Sequence, residues 1–254
     1  MRAGRGMSAA FPPGVDSLAL APGCDRRCSA MNMLSPPRAR LCIEVVHDLI
    51  CPWCWLGVHR LLATLRARPE ITADIVWRPF LLNPDMPLGG LSREEYMLHK
   101  FGGEARARRI WHTITEIGRS EGMAYDFDRI DRTPPSMDAH RLVRWGRQFD
   151  RADALVEALF RAHFSEGRNI GDLLVLGEVA DACGLDATAA RAWLRSSEDQ
   201  KGVLADNLAA HHLGINGVPC FIFDGHSAVS GAQEPEVLDR LLDVALTRTE
   251  ESSF

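Results

Sequence analysis

The sequence has no apolar run approaching the roughly 18 residues that cross a bilayer, so it is not expected to be membrane-embedded. Nor has it a basic stripe with interleaved aromatics, and with a net charge of -5 this speaks against nucleic-acid binding. Arg106, Arg108 and Arg109 form a local basic run that reads as a solvated helix face. Cysteine is sparse as well. Seven residues, an odd number without a dense framework, exclude a disulfide scaffold and fit a reducing compartment in which any disulfide is transient and catalytic. A secretory leader is not legible either: Arg2 and Arg5 open the chain, but Pro12-Pro13-Gly14 interrupts it, and Leu18-Ala19-Leu20-Ala21 is too short for a signal core. Cytoplasmic residence is the expectation.

With 254 residues and 46% hydrophobic content, the chain can bury a substantial core as one large domain or a domain with a long insertion. Residues 1–40 are rich in Gly, Pro, Ala and Arg and are expected to be a disordered extension. Met31 and Met33 offer later natural starts.

The feature that carries chemistry is Cys51-Pro52-Trp53-Cys54. It follows Cys42-Ile43-Glu44-Val45-Val46-His47, a β-branched stretch that reads as a strand, and Pro52 suits the first helical position, where its missing N–H is no loss. Cys51 then falls at the helix N-cap, beside unpaired N–H groups and the positive end of the helix dipole, which favour thiolate over thiol. Cys54, one turn further along, can resolve a mixed disulfide. On spacing alone, half a zinc site or buried packing is an equal reading. Metal would want a second pair, but Cys24 and Cys28 lie in the tail, and Cys183 and Cys220 stand singly. No metal is expected.

Further along, a helix from Pro52 to about Arg68 is followed by a second strand, Thr72-Ala73-Asp74-Ile75-Val76-Trp77, which suggests a parallel βαβ unit with a right-handed crossover. Asn83-Pro84-Asp85-Met86-Pro87 stops that strand. Ser92 and Glu95 make a capping box for a helix to about Lys100, Gly102-Gly103 breaks it, and another helix runs from about Glu104 to Ser120. The middle of the chain is helical in pattern: Leu155, Leu159 and Ala162 share a face, and Val175, Leu176, Val179, Ala180 and Cys183 repeat the spacing up to Gly184. Cys183 reads as a small core residue, and His140 and His163 as satisfied structural histidines. After a helix from about Glu198 to Leu213, Cys220-Phe221-Ile222-Phe223, the turn Asp224-Gly225 and His226–Ser230 form a hairpin. Pro235 starts a terminal amphipathic helix.

That order, with a CxxC at the first helix, resembles the thioredoxin fold interrupted by a helical insertion, as in the DsbA-like family. Several stretches resemble its FrnE-like branch: Asp48 to Cys54, Trp77 to Pro84, Asp138-Ala139-His140-Arg141-Leu142, Leu159 to Phe164, Gly217-Val218-Pro219, and Val229 to Gln233. The resemblance runs from about residue 41 to 246. It implies an α/β thioredoxin-like domain made of residues 41–83 and 199–246, an all-helical insertion at 84–198, and a tail at 247–254. It also implies a cis Val218–Pro219 bond packed beside the active-site pair, where the backbone of residue 218 can hydrogen-bond an extended substrate. There are two departures. Pro135-Ser136 stands where the family often has Asn-Thr, and Cys220 directly follows the cis proline, where it reads as packing or as a third thiol.

The leading function is thiol–disulfide exchange, with Cys51 as nucleophile and Cys54 as resolving cysteine, supported by Pro52, Trp53, Val218 and Pro219. Asp48 and His47 are weaker candidates for proton transfer. No cofactor is required beyond the Cys51–Cys54 disulfide, with glutathione a candidate co-substrate. Expected partners are protein or small-thiol disulfides, with neither nucleic acid nor membrane, for a monomer or homodimer. A second reading comes from relatives of the same fold, the kappa-type glutathione transferases and 2-hydroxychromene-2-carboxylate isomerases, which usually carry serine at the position of Cys51. A third is a redox-switched chaperone or binding module.

Overall fold

The computed structural model describes residues 39–251. The expectations for the extension, for starts at Met31 and Met33 and for Cys24 and Cys28 lie outside the described residues. The described chain begins with β1 (Ala39–His47), α1 (Pro52–Ala67) and β2 (Ile71–Pro79). There follow β3 (Leu91–Ser92), α2 (Arg93–Phe101), α3 (Glu104–Ser120), β4 (Arg132–Thr133), α4 (Met137–Gly146), α5 (Ala152–Phe164), α6 (Leu173–Ala182) and α7 (Ala187–Arg195). It closes with α8 (Gln200–His212), β5 (Cys220–Phe223), β6 (Ser227–Ser230) and α9 (Pro235–Glu251).

One four-stranded sheet, in the order β2-β1-β5-β6, gathers strands from both ends of the chain. The expected βαβ unit is present: β1 and β2 pair in parallel, with Val45 opposite Trp77. β5 then adds antiparallel to the other edge of β1, with Val46 opposite Cys220. The two-residue period of the strands divides the core. Ile43, Val45, Phe221 and Phe223 face one side, where Leu56 and Leu61 of α1 and Leu238 and Leu242 of α9 cover them. Val46, Cys220 and Ile222 face the other side, with Phe80, Ala210 and Ile215. The hairpin turns at Asp224 and Gly225, both at positive φ (48° and 70°), but Phe223 pairs with Ser227, so His226, read as part of the returning strand, belongs to a three-residue loop and donates its N–H to the Phe223 carbonyl at 3.0 Å. α9 continues past residue 246 to Glu251.

The insertion is helical, apart from the short β3–β4 pair that joins Leu91 to Thr133, which two-residue strands leave unreadable in sequence. The capping box of α2 is complete, with Ser92 and Glu95 each accepting from the other's backbone N–H. Arg106, Arg108 and Arg109 are exposed, as a solvated face should be. Leu155, Leu159 and Ala162 are buried, and the core they build is continuous with that of the sheet. Polar ties fix the insertion: the Trp77 indole N–H donates to Asp153 at 2.7 Å, and Arg144 bridges Asp199 and Asp206. Arg141 is fully buried and donates to the carbonyls of Leu194, Ser196 and Glu198, which are the orphan acceptors at and beyond the end of α7.

Candidate active site

Cys51 occupies the N-cap of α1 with extended backbone angles (φ −100°, ψ 112°), and Pro52 follows inside the first turn. Its carbonyl accepts from Cys54 N at 3.0 Å and Trp55 N at 3.3 Å, so the helix starts where the motif predicts. The sulfur behaves differently from a simple cap. It makes no hydrogen bond to the free N–H groups of the first turn, and its S–H instead points to the Val218 carbonyl, 3.8 Å away. The Val218–Pro219 bond is cis. Close approach of α1 to this loop depends on Gly57, where a Cβ would lie 2.9 Å from Pro219 Cγ and 3.0 Å from the Phe221 ring.

The two sulfurs of the motif differ in access. Cys51 is 5% exposed and opens into a cavity of about 250 Å³, whereas Cys54 is 0% exposed and lies behind it. The sulfurs are close enough to hydrogen-bond, and burial, with that bond to Cys51, pushes the Cys54 thiol well above its ordinary value. Cys54 therefore stays protonated and enclosed, while Cys51 is the sulfur that faces the cavity.

Tyr125, which motif reading missed, holds the turn in place: its hydroxyl donates to the Pro52 carbonyl at 2.8 Å. Burial, then the nearby Cys51 and Cys54, push its phenol up, so it remains a donor. The chain has only two tyrosines, and the other, Tyr96, lines the cavity over Cys51, its phenol pushed up to about 12, chiefly by burial. Their scarcity was the one sequence signal available.

His47 and Asp48 are fully buried beneath the motif. Asp48 works as a clamp: Ile50 N donates to its Oδ1 at 3.2 Å and Leu82 N to its Oδ2 at 2.7 Å. Burial raises the Asp48 carboxyl, but the hydrogen bonds and the neighbouring His140 outweigh it and leave it below the usual range. His47 Nδ1–H donates to the Val45 carbonyl at 3.2 Å. Burial, then the neighbouring His140, lowers it to about 3.

His140 corrects an expectation. It is buried, yet neither ring nitrogen has a hydrogen-bond partner, and its Nε2 stands 3.6 Å from Asp48 Oδ1. α4 packs its ring edge-on against His47, at 5.1 Å between centroids, so the protein carries an incompletely satisfied polar cluster under its site. His163 lines the cavity, and burial lowers it to about 4. Cys220 lies away from the motif, buried on the opposite face of the sheet among Val46, Phe80 and Ile222, and burial raises its thiol. Cys183 is half-buried at the end of α6. Among the described residues no cluster of His, Cys, Asp and Glu could hold a metal, and no helix is long and apolar enough to cross a membrane.

The model of the DsbA-like thioredoxin domain matches residues 42–243. YwbO of Bacillus subtilis, an uncharacterised protein, is 24% identical over 209 residues, which are 79% of this chain and 94% of that one. A probable DsbA oxidoreductase from Streptomyces coelicolor is 31% identical in its crystal structure, with a TM-score of 0.74 over 81% of this chain and 89% of its own. Two more distant structures share the fold. The cytosolic disulfide reductase DsbM from Pseudomonas aeruginosa is 21% identical (TM-score 0.58, covering 81% and 98% of the two chains), and a 2-hydroxychromene-2-carboxylate isomerase is 16% identical (0.62, 84% and 99%). By its matched domain and its strand order, the chain belongs to the DsbA-like thioredoxin-fold family.

Proposed function

We propose that the protein is a thiol–disulfide oxidoreductase that works through Cys51 and Cys54 on protein or small-molecule disulfides. One observation carries the reading: of two adjacent sulfurs in one helical turn, one faces a cavity beside the Val218 carbonyl and the other is sealed behind it. Cys51 thiolate attacks one substrate sulfur, forming a mixed disulfide and expelling the other sulfur as a thiolate that takes up a proton. Cys54 then gives up its proton and attacks Cys51, which breaks the mixed disulfide and releases the second half as thiol. The substrate is reduced by two electrons and the pair is oxidised. An external thiol, glutathione or a protein dithiol, must restore it.

Tyr125 and Gly57 serve this cycle by holding the first turn and the Pro219 loop together. Membership of the FrnE-like branch rests on the motifs quoted above. Cytoplasmic action is part of the proposal, since a reducing compartment keeps the pair as the dithiol that reduction of substrates requires, and the similar DsbM is a cytosolic disulfide reductase.

The test is equilibration in glutathione redox buffers, followed by acid quenching, alkylation and mass analysis. Cys51 and Cys54 are expected to lose their thiols together, with a two-electron slope of about 30 mV per tenfold change, while Cys183 and Cys220 follow a separate course. A stable glutathione adduct on Cys51 with Cys54 still alkylatable at every ratio would reject the paired mechanism.

A further inference from the structure

The cavity over Cys51 is lined predominantly by apolar groups. Trp53 and Ile50 come from the motif region and Phe101, Trp111 and Phe127 from the insertion. At about 250 Å³ it lies just under the range of roughly 300–1,000 Å³ typical of small-ligand pockets. That is room for half of a small disulfide. Cys51 is 5% exposed and is reached through this space, an entry that a small molecule fits more readily than a folded surface.

The walls have a preferred geometry. Trp111 stacks on Phe127 at 5.2 Å with 4° between their planes, and Phe127 on Tyr125 at 5.5 Å with 8°, which makes a rigid row of parallel rings in the wall. The Arg93 guanidinium covers the Trp111 ring at 4.9 Å and is itself held by Asp128 and the Phe127 carbonyl. A planar apolar body finds aromatic surface here at little cost in side-chain ordering. Lys100 adds charge at the rim. It is exposed, lines the same cavity, and has no ion pair among the described residues. Arg93, the other cation of the wall, is engaged by Asp128, and Tyr96, Thr133 and His163 stay uncharged at neutral pH.

Resting on the oxidoreductase reading, we propose that the cavity selects low-molecular-weight disulfides with an aromatic-sized apolar body and a carboxylate that meets Lys100. The body lies against Trp111 and Phe127, one sulfur is presented to Cys51, and the acid faces the rim. Extended protein segments and wholly polar disulfides are the disfavoured substrates. The chemistry is the exchange already written, two electrons from the Cys51–Cys54 pair to the bound disulfide, with both halves leaving as thiols.

The experiment mixes the reduced protein with excess disulfide and follows the loss of its thiols. Four probes separate the requirements: 5,5′-dithiobis(2-nitrobenzoate), aromatic and anionic; 4,4′-dithiodipyridine, aromatic and neutral; glutathione disulfide, anionic and polar; and insulin. Each rate is divided by the rate at which free cysteine reduces the same disulfide, which removes intrinsic reactivity. The normalised rate for the aromatic acid is expected to exceed those for glutathione disulfide and insulin by about tenfold or more, the weight of one well-packed aromatic contact and its buried area. Lys100→Glu, an exposed change that spares the core, is expected to lower the rate for the aromatic acid about fivefold more than that for the neutral aromatic disulfide at low salt, the order expected of one exposed charge reversed. Normalised rates for insulin or glutathione disulfide at or above the aromatic ones would overturn the selection, as would a Lys100→Glu effect that is equal on both aromatic probes, and either result would leave the oxidoreductase reading standing. If no disulfide oxidises the pair, that reading falls and the substrate assignment with it.

Discussion

Replacing Cys51 with serine is expected to lower turnover of every disulfide at least about a thousandfold, on the scale seen when an enzyme loses its nucleophile. A hydroxyl in that position does not ionise near neutral pH, and Cys54, 0% exposed, has no route to a visiting disulfide. The fold should be untouched, because serine is a preferred helix N-cap and Pro52 still opens α1. Cys54→Ser separates the two steps: Cys51 still attacks, but the mixed disulfide has no internal exit and multiple turnover stops. Circular dichroism should match the parent in both variants, and urea unfolding in Cys51→Ser, whereas the hydroxyl that Cys54→Ser places at a fully buried site should cost about 1–3 kcal/mol. The isomerase and transferase reading predicts another outcome, glutathione-dependent turnover of a small aromatic substrate that survives Cys54→Ser. Unchanged disulfide reduction in Cys51→Ser would reject the redox mechanism outright.

Lowering the pH from 7 to 5 is expected to remove about 4 kcal/mol of stability, at roughly 1.4 kcal/mol per histidine for each unit below its unfolded value near 6.5. Two histidines are responsible. Burial, and for His47 the neighbouring His140, holds His47 near 3 and His163 near 4. Each takes up a proton in the unfolded chain well before it can in the native one. Their contribution is thus full above about pH 6.5 and falls steadily down to the folded values. Asp48 has the same sign but acts lower, since its carboxyl is below the ordinary 3.8 in the folded state and its contribution is lost only as pH falls through that region. Urea titrations across pH 5–7 measure the effect, and His163→Gln should roughly halve the slope between pH 6 and 5. A flat profile would mean that neither histidine is held neutral.

The order of elements was legible because local signals agreed with one another: Pro52 after Cys51, the Ser92 and Glu95 box, Asp224-Gly225, and Pro235 before an amphipathic run. β2 runs on to Pro79, two residues past the β-branched signal, because Arg78 lies in the ladder as the buried partner of Glu44 at 2.7 Å. A charged residue in that position reads locally as a strand's end; only the pairing across the sheet explains it. The two sulfurs of the proposed redox pair were legible for the same local reason, both lying within one helical turn.

What surrounds them was not. The cavity draws on α1, α2, α3, the segment around Phe127 and the Val218 loop, pieces of chain with no sequence period in common. Tyr125 meets Pro52 from 73 residues away. His140 illustrates the converse failure. Its helical spacing marks it as buried, but whether a buried ring finds partners depends on the distance to Asp48, which no pattern encodes.

The most direct measurement is the mass of the adduct that Cys54→Ser forms with a disulfide substrate, mapped by peptide after quenching. The account predicts one substrate half per chain, attached to Cys51 and released by added dithiol, with none formed when Cys51 is also changed to serine. An adduct carried by Cys183 or Cys220, or no adduct at all under conditions where the parent protein turns over, would contradict it.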